Sequence, residues 1–517
     1  MMSEGRVKNS AHNMILGFTY QFITLVLSFL SRTVFIKTLG VEYLGLNGTF
    51  ADVLNLLSMA DLGFNITMSY SFYKPLAEHN EKRLTALICF YKKIYNVIAC
   101  SVVSIGLLII PFLRFIINTE KEIPHLILYY SFSLAGIVIS YLFVYRTTIL
   151  TADQKNHEVL KISIWTTLIK VLLQIGSLLL WENYILYLTI GVTLQLTNNL
   201  LASKKAERMY PYIKNKENIS RNEEKKIFAN MRSVFLYKIS GTMFSATGNV
   251  LISIIIGTGM VGIYSNYIMV SSKLLLIIQI IFSALTASIG NVIVMEGVKK
   301  RFEVFDTLQS VSFIFCGIIT SVFCIMANDL VFVWLGGEFT IPTSAIWAMT
   351  LNTYLSCVLQ PLWTYRDATG LYMRTKYIML LGALLNIVLS IIMGKIWGLT
   401  GIILASSVSK LSTYFWYEPK ILFKEYFERK VKKYYFSIVK NVILVADTIV
   451  ILSMLFDKIK VIGWGMLIVK GSIIGLICTC VFMGAYARTE GVHVIFQKIS
   501  SVLSKGTKNQ RRVSRDT

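Results

Sequence analysis

The sequence predicts an all-α polytopic membrane protein with about fourteen transmembrane helices. Three observations support this fold class. Hydrophobic residues make up 55% of the 517 residues and charged residues only 15%, with a mean hydropathy of +0.62. Apolar runs long enough to cross a bilayer as helices recur from one end of the chain to the other. Finally, Lys and Arg concentrate in alternate connections between these runs, as membrane topology requires.

Apolar runs broken by polar turns define the spans. The first run follows Arg6 and Lys8 without a small-residue cleavage site, so we expect it to be retained as a helix rather than removed as a signal peptide. The predicted spans are 14–36, 44–70, 94–117, 126–146, 161–181, 184–203, 234–256, 263–294, 307–328, 345–365, 377–396, 398–417, 441–456 and 461–485.

The basic residues predict the orientation. With the N-terminus inside, and with Arg146, Lys161 and Lys238 counted with the cytoplasmic connections and Lys395 with an external one, cytoplasmic segments hold 40 of the 51 Lys and Arg residues, external connections hold five, and six lie inside spans. The external stretch 329–344 contains Asp329 and Glu338 but no basic residue. We therefore expect both termini in the cytoplasm, in agreement with an even number of spans.

Two basic connections divide the predicted chain, and a weak internal repeat supports the division. "FIKTLGVEYLGLNGTF" (35–50) and "IIIGTGMVGIYSNYI" (254–268) align with a two-residue gap, and each ends a helix on Gly and opens the next through Gly and an aromatic residue. Tandem repeats are typical of transporters that build a site between two lobes. The predicted segments are an N-lobe at 1–203 (helices 1–6), a cytoplasmic loop at 204–233, a C-lobe at 234–417 (helices 7–12), a cytoplasmic loop at 418–440, helices 13–14 at 441–485, and a basic tail at 486–517.

Three stretches carry a family resemblance: "TLGVEYLGLNGTFADVLNLLSMADLGFNITMSYSFYKPLAEHNEKR" (38–83), "FVWLGGEF" (332–339) and "YRDATGLYMRTKYIMLLGALLNIVLSIIMGKIWGLTGIILASSVSKL" (365–411). They resemble bacterial polysaccharide flippases of the Wzx type, which belong to the multidrug, oligosaccharidyl-lipid and polysaccharide exporter superfamily. The resemblance implies two six-helix lobes around a central cavity, in the bacterial cytoplasmic (inner) membrane. It also implies a substrate, an undecaprenyl-pyrophosphate-linked oligosaccharide moved to the outer leaflet for capsular, O-antigen or exopolysaccharide synthesis, without a cofactor. Membrane lipids, a polysaccharide polymerase and chain-length machinery are the implied partners.

Ionisable residues inside spans are the candidate site residues, because each is costly in hydrocarbon. Lys170 lies roughly 13 Å from the inner end of the fifth predicted helix, and Lys273 roughly 15 Å from the outer end of the eighth. Ammonium groups near the midplane, one from each half, would attract a pyrophosphate. The alternatives for each are snorkelling towards an interface and a structural hydrogen bond.

A second group of charges lies in the first two spans. Arg32 and Asp52 occupy adjacent helices near a shared outer turn, so they are expected to pair as a salt bridge or to line the substrate or ion path. Asp61 lies deeper towards the cytoplasm and is a candidate proton or cation site, with helix packing as its alternative. Asp447 and Lys470, in the last two helices, form another candidate pair.

Three other function classes remain open. A multidrug or metabolite exporter of the same superfamily would favour acidic cavity residues, whereas the midplane candidates are mostly Lys. A lipid II-type flippase shares the pyrophosphate cargo. A membrane glycan polymerase, an enzyme, would need a large external loop, and the longest external connection is the stretch 328–344.

Composition argues against other sites. The net charge of +23 follows the membrane topology rather than marking a basic soluble face, so we expect no nucleic acid partner. The seven Cys and five His show no metal-ligand spacing, and we expect no metal site and no catalytic residues.

Overall fold

The computed structural model describes residues 2–58, 64–119, 122–487 and 489, and all regular structure in this part of the chain is helical. Sequence and structure therefore agree on the fold class. The α-helices are α1 (Met2–Leu39), α2 (Val41–Leu57), α3 (Phe64–Ala77), α4 (Glu81–Ile109), α5 (Leu113–Ile116), α6 (Leu126–Ala152), α7 (Asn156–Trp181), α8 (Tyr184–Met209), α9 (Arg221–Ala246), α10 (Gly248–Ile255), α11 (Thr258–Met295), α12 (Val298–Leu335), α13 (Thr343–Val358), α14 (Gln360–Thr369), α15 (Tyr372–Ser412), α16 (Tyr414–Leu422), α17 (Lys432–Phe456) and α18 (Trp464–Tyr486).

Ten helices in the described residues are long and apolar enough to cross a membrane, against about fourteen predicted spans. Part of the difference comes from helix breaks. The seventh predicted span falls on α9 and α10 and the tenth on α13 and α14, whereas the second falls on α2, α3 and residues 59–63, which lie outside the described residues. The eleventh and twelfth fall on α15, whose helical geometry is interrupted at Gly398 with a φ of 57°. The number fourteen stays a prediction.

Side-chain caps begin several helices. Asn80, Asn183 and Ser220 each accept a hydrogen bond from the backbone N–H three residues later, at the start of α4, α8 and α9. At Ser220 the third helical residue is Glu223, the arrangement of a capping box. The Asn183 cap coincides with the predicted start of the sixth span at 184, whereas α4 and α9 begin 13 residues before the predicted starts at 94 and 234, because their polar first turns lie outside the apolar runs.

The chain forms two compact units, of which the first comprises Met1–Ser265 and Met379–Gly398. Within it, α2 and the start of α11 cross at a pair of glycines. A Cβ atom on Gly45 would lie 1.8 Å from the carbonyl oxygen of Thr258, and one on Gly262 would lie 2.2 Å from that of Val41. Only glycine permits this approach of two helix backbones.

The crossing is reciprocal, and it supports the internal repeat. Gly40 and Gly257 precede α2 and α11 with φ of 88° and 139°, and Gly45 and Gly262 follow five residues after them. Each member of the second pair lies 217 positions after its counterpart, so the two motifs correspond without the two-residue gap expected from the sequence. Thr258, the first residue of α11, lies against Gly45 of α2, and Val41, the first residue of α2, lies against Gly262 of α11.

The segment 204–233 is more helical than expected. Helix α8 continues to Met209 and α9 begins at Arg221, so helix occupies both ends of the predicted loop. The remaining connection is fastened to α4, because Thr85 donates a hydrogen bond to the carbonyl oxygen of Tyr212 at 3.0 Å. Arg83 and Glu223 form an ion pair at 2.5 Å. This connection therefore packs as part of the first unit.

The second unit comprises Asn266–Ile378 and Leu399–Thr517, and α12 lies in its core. A Cβ atom on Gly317 of α12 would lie 2.2 Å from the ring of Phe482 in α18. Asn441 of α17 accepts a hydrogen bond from the Tyr354 hydroxyl at 2.9 Å and donates one to the Tyr486 hydroxyl at 2.8 Å. Helix α18 is thus packed closely against α12, and α17 is joined to α13 and α18.

Candidate functional site

Arg32 lies near the end of α1 and is partly buried. Its Nη1 donates a hydrogen bond to Ser265 Oγ of α11 at 3.3 Å, and Ser265 in turn donates to the carbonyl oxygen of Gly262 at 2.8 Å. The guanidinium is therefore placed beside the glycine crossing. A guanidinium has donors enough to keep this contact and still bind an anionic group.

Asp52 of α2 caps another helix. Its Oδ2 accepts a hydrogen bond at 3.3 Å from the backbone N–H of Asn249, the second residue of α10. The residue that precedes α10, Thr247, supplies no side-chain cap. A carboxylate at a helix N-terminus satisfies an exposed donor and interacts favourably with the helix dipole. Asp52 thus stabilises the break between α9 and α10.

Arg32 and Asp52 have different recorded partners. Among the described residues no ion pair joins their side chains; Arg32 contacts α11 and Asp52 contacts α10. Their energetic coupling stays a prediction. Asp61, the third charge of this group, lies outside the described residues.

The Arg32 contact has a counterpart in the repeat. With the 217-position shift, Arg32 corresponds to Asn249, and its partner Ser265 corresponds to Gly48. A Cβ atom on Gly48 would lie 3.9 Å from Asn249 Nδ2, so this equivalent pair is also adjacent. Arg32 and Asn249 therefore occupy equivalent places, but only one carries a charge.

Lys170 lies near the middle of α7, about 21 Å from the start at Asn156 and about 16 Å from the end at Trp181 by helical rise. Its side chain is partly buried, and within the described part of the chain no hydrogen bond or ion pair is recorded for it. One turn later, Gln174 is satisfied, because its Nε2 donates to the carbonyl oxygen of Tyr187 at 3.1 Å. A half-buried ammonium without a protein counter-ion can accept an anionic ligand.

Lys273 has a similar setting in the second unit. It lies about 22 Å from the start of α11 at Thr258 and is partly buried, and no hydrogen bond or ion pair is recorded for it in the residues described. Lys170 and Lys273 belong to different compact units. That the two face one cavity stays a prediction.

Two other lysines of the second unit, Lys410 and Lys470, bind side chains of the same unit. Lys410 is 7% exposed and donates to Asn352 Oδ1 at 2.6 Å and to Ser356 Oγ at 3.2 Å. Lys470 pairs with Asp329 at 2.7 Å, so the expected pairing with Asp447 is wrong for the described residues. Asp329 itself was expected in an external stretch, but α12 continues through it to Leu335.

One buried ion pair was missed by sequence reasoning. Arg366 of α14 binds Glu418 of α16 at 2.8 Å, and both side chains are nearly inaccessible to solvent. Arg366 stands one residue beyond the predicted end of a span, and its partner is 52 positions away. The "YRDATG" motif at 365–370 was the only sequence signal near it, and it does not identify the partner.

No family model matches the chain, and no curated protein matches it by sequence. Solved structures match it by fold. The lipid II flippase MurJ in an inward closed conformation has a TM-score of 0.67 at 14% identity, covering 92% of this chain and all of the flippase.

Two further neighbours belong to the MOP superfamily. An inward-facing multidrug resistance MATE family transporter has a TM-score of 0.58 at 12% identity, with coverage of 77% of this chain and 94% of that one. A MOP superfamily transporter from Pyrococcus furiosus, whose binding pocket is described as having reverse polarity, has a TM-score of 0.57 at 12% identity and coverage of 82% and 97%. The chain therefore has the fold of these transporters and flippases, which are not enzymes.

Proposed function

We propose that this protein flips an undecaprenyl-pyrophosphate-linked oligosaccharide from the cytoplasmic to the outer leaflet, for capsular, O-antigen or exopolysaccharide synthesis. The observation that carries the proposal is the presence of Lys170 and Lys273, two mid-helix ammonium groups without a counter-ion among the described residues, in a fold that a lipid II flippase shares. A charged side chain at this depth is expensive unless it serves a polar path. An anionic head group moving through the membrane is the cargo that lysines would accommodate.

The contrast between paired and unpaired charges supports the assignment. Lys410, Lys470 and Arg366 are buried and bound to protein oxygens, as structural charges are. Lys170 and Lys273 are only partly buried, so their ammonium groups can remain hydrated until a ligand replaces water. Arg32 is the third proposed contact, and Asp52 and Asp61 are proposed for helix positioning or ion coupling.

The wider setting belongs to the same proposal. The protein would lie in the bacterial inner membrane with both termini in the cytoplasm, its N-lobe at 1–203 and its C-lobe at 234–417. It would act beside membrane lipids, a polysaccharide polymerase and chain-length machinery, and it would need no cofactor.

A lipid II-type flippase is the second candidate, and it is favoured by the fold likeness to MurJ. A multidrug or metabolite exporter is less favoured, because the unpaired charges at mid-helix are cationic. A membrane glycan polymerase is least favoured, because the predicted external stretch is short: α12 ends at Leu335 and α13 begins at Thr343.

Replacing Lys170 and Lys273 tests the proposal. Each Lys→Gln change, and more strongly the double change, should reduce surface glycan export about tenfold or more, since a hydrogen bond to a charged group contributes about 1.5–3 kcal/mol. Lys→Arg should retain part of the activity, because charge matters more than donor geometry for a flexible ammonium. The measurements are surface polysaccharide per cell and the amount of protein in the membrane.

Lys395→Gln provides the matched control, because this exposed lysine lies at the end of the eleventh predicted span, 377–396, three residues before the Gly398 interruption of α15. It should export normally. A double Lys170→Gln, Lys273→Gln protein that exports at the parental rate would overturn the assignment. Accumulation of lipid II, rather than of lipid-linked oligosaccharide, in a strain depleted of this protein would favour the second candidate.

A further inference from the structure

A cavity of about 270 Å³ lies in the second unit, and neither Lys170 nor Lys273 lines it. It is bounded by the first turns of α12, the π-helical turn Phe423–Phe427, the first turns of α17 and the end of α18. The sequence predicts all four segments at the cytoplasmic side of the membrane. On this predicted topology the cavity lies at the level where lipid head groups meet the protein.

The open side of the cavity carries positive charge. Lys433, Ser437 and Lys440 line it from one face of α17, at the i, i+4 and i+7 positions, and both lysines are exposed. Asp306 lines it from α12 as the facing carboxylate. Arg429 adds a guanidinium over the ring of Phe302 at 4.1 Å, beside the wall. The lining therefore has two lysines against one carboxylate, a balance that favours an anion.

The inner wall carries polar atoms without partners. Gln309 is 3% exposed; its Nε2 donates to the carbonyl oxygen of Val358 at 3.2 Å, but its Oε1 has no hydrogen-bond partner in the described structure. The hydroxyl of Tyr434, which is 4% exposed, has none either. Buried polar groups without partners are costly, and Gln309 and Tyr434 both belong to the lining of this cavity, so a small rotation of either side chain towards a ligand hydroxyl group would satisfy its unpaired atom.

The surroundings of the cavity are apolar. Phe302, Phe305 and Phe423 line its floor, and the Lys440 ammonium lies 4.6 Å from the ring centroid of Phe436. Next to the lysines, α17 exposes Phe436, Val439 and Ile443 on its surface, where acyl chains would lie in a bilayer. An amphiphile fits this combination better than a free anion does.

We propose that this cavity binds the head group of one anionic glycerophospholipid from the cytoplasmic leaflet, of the type in which a phosphate carries a hydroxylated group. Lys433 and Lys440 bind the phosphate, Gln309 and Tyr434 face the hydroxyl groups, and the acyl chains follow the apolar surface of α17. The site is separate from the proposed transport path and does not depend on the identity of the transported substrate.

Native mass spectrometry of the purified full-length protein tests this site. Phosphatidylglycerol and phosphatidylcholine with identical acyl chains are titrated separately into the detergent-solubilised protein. The native sequence should bind one phosphatidylglycerol about tenfold more tightly than phosphatidylcholine, because two lysines favour an anionic head group. Lys433→Gln combined with Lys440→Gln should abolish the preference, and Gln309→Leu should weaken it.

Lys432→Gln is the matched control, since this exposed lysine begins the same helix but does not line the cavity. It should keep the preference, and so should Lys170→Gln, which separates this site from the transport proposal. Equal binding of the two lipids by the native protein, or equal loss in the Lys432 control, would overturn the proposal. Full displacement of the lipid by inorganic phosphate would also overturn it, by indicating a simple anion site.

Discussion

Asp52 illustrates how one intramembrane charge is satisfied by backbone rather than by an opposite charge. The first turn of a helix has backbone N–H groups without partners, and in a membrane no water is at hand to satisfy them. By accepting from Asn249, Asp52 satisfies one such donor at the start of α10. The side chain therefore has a structural role that does not require Arg32.

Replacing Asp52 tests this role. Asp52→Leu removes the acceptor and should lower the free energy of unfolding by about 1 kcal/mol, whereas Asp52→Asn retains an acceptor oxygen and should lose less. The midpoint of thermal unfolding in detergent measures both. Asn55→Leu, at an exposed position of the same helix, is the control and should change the midpoint little. Equal midpoints for Asp52→Leu and Asp52→Asn would mean that the cap does not contribute to stability.

At this scale, sequence found charges but not their partners. Lys170, Lys273, Arg32 and Asp52 stood out because each interrupts an apolar run, where a charge needs a reason. The contacts that satisfy a charge depend on tertiary packing: Lys470 and Asp329 are 141 positions apart. Charged candidate residues can therefore be identified from sequence, but only the structure shows which of them have a protein partner.

At the scale of elements, the crossing of α2 and α11 is determined by glycine. Gly45 and Gly262 let the two helix backbones come within van der Waals contact, where larger residues would force them apart. The spacing of five residues from Gly40 and Gly257 repeats this arrangement in both halves. The sequence motif was visible before the structure, because a glycine that ends one helix and another inside the next helix form a recognisable pattern.

Adding a methyl group at the crossing should destabilise the protein. Gly45→Ala or Gly262→Ala places a Cβ about 2 Å from a backbone carbonyl oxygen, so one helix must shift, at a cost of about 1–3 kcal/mol. Gly259→Ala, in the same first turns of α11 but with no atom within 4 Å of its Cβ, should be neutral or slightly stabilising. Thermal unfolding and yield of folded protein compare the three. Similar behaviour of all three variants would contradict the close crossing.

Hydropathy predicted the apolar helices but not the breaks within them. A window of apolar residues cannot distinguish one helix from two that meet at a kink, so α9 and α10, and α13 and α14, read as single spans. Gly248 and Pro361, the second residue of α14, lie at these two breaks. They did not predict the breaks, because glycine and proline are also found inside continuous membrane helices. The interruption at Gly398 was expected, because a polar turn was visible there.

At the scale of the whole molecule, the proposed direction of transport depends on the membrane orientation that the sequence predicts. The asymmetry of basic residues indicates which ends of the helices face the cytoplasm, and packing of helices within each unit carries no such information. The sequence predicts 210–220, between α8 and α9, in the cytoplasm and the turn between α12 and α13 outside. Both proposals, transport past Lys170 and Lys273 and lipid binding at the cavity lined by Lys433 and Lys440, assume this orientation.

Cysteine labelling in intact cells measures the orientation. In a background without the seven native cysteines, Lys216→Cys should react with a membrane-impermeant maleimide only after the cells are permeabilised, whereas Glu338→Cys should react in intact cells. Both positions are exposed in the structure, so accessibility rather than burial decides the result. Labelling of Lys216→Cys in intact cells would invert the topology. It would place the cavity lined by Lys433 and Lys440 at the outer leaflet and would remove the basis for moving a cytoplasmic substrate outward.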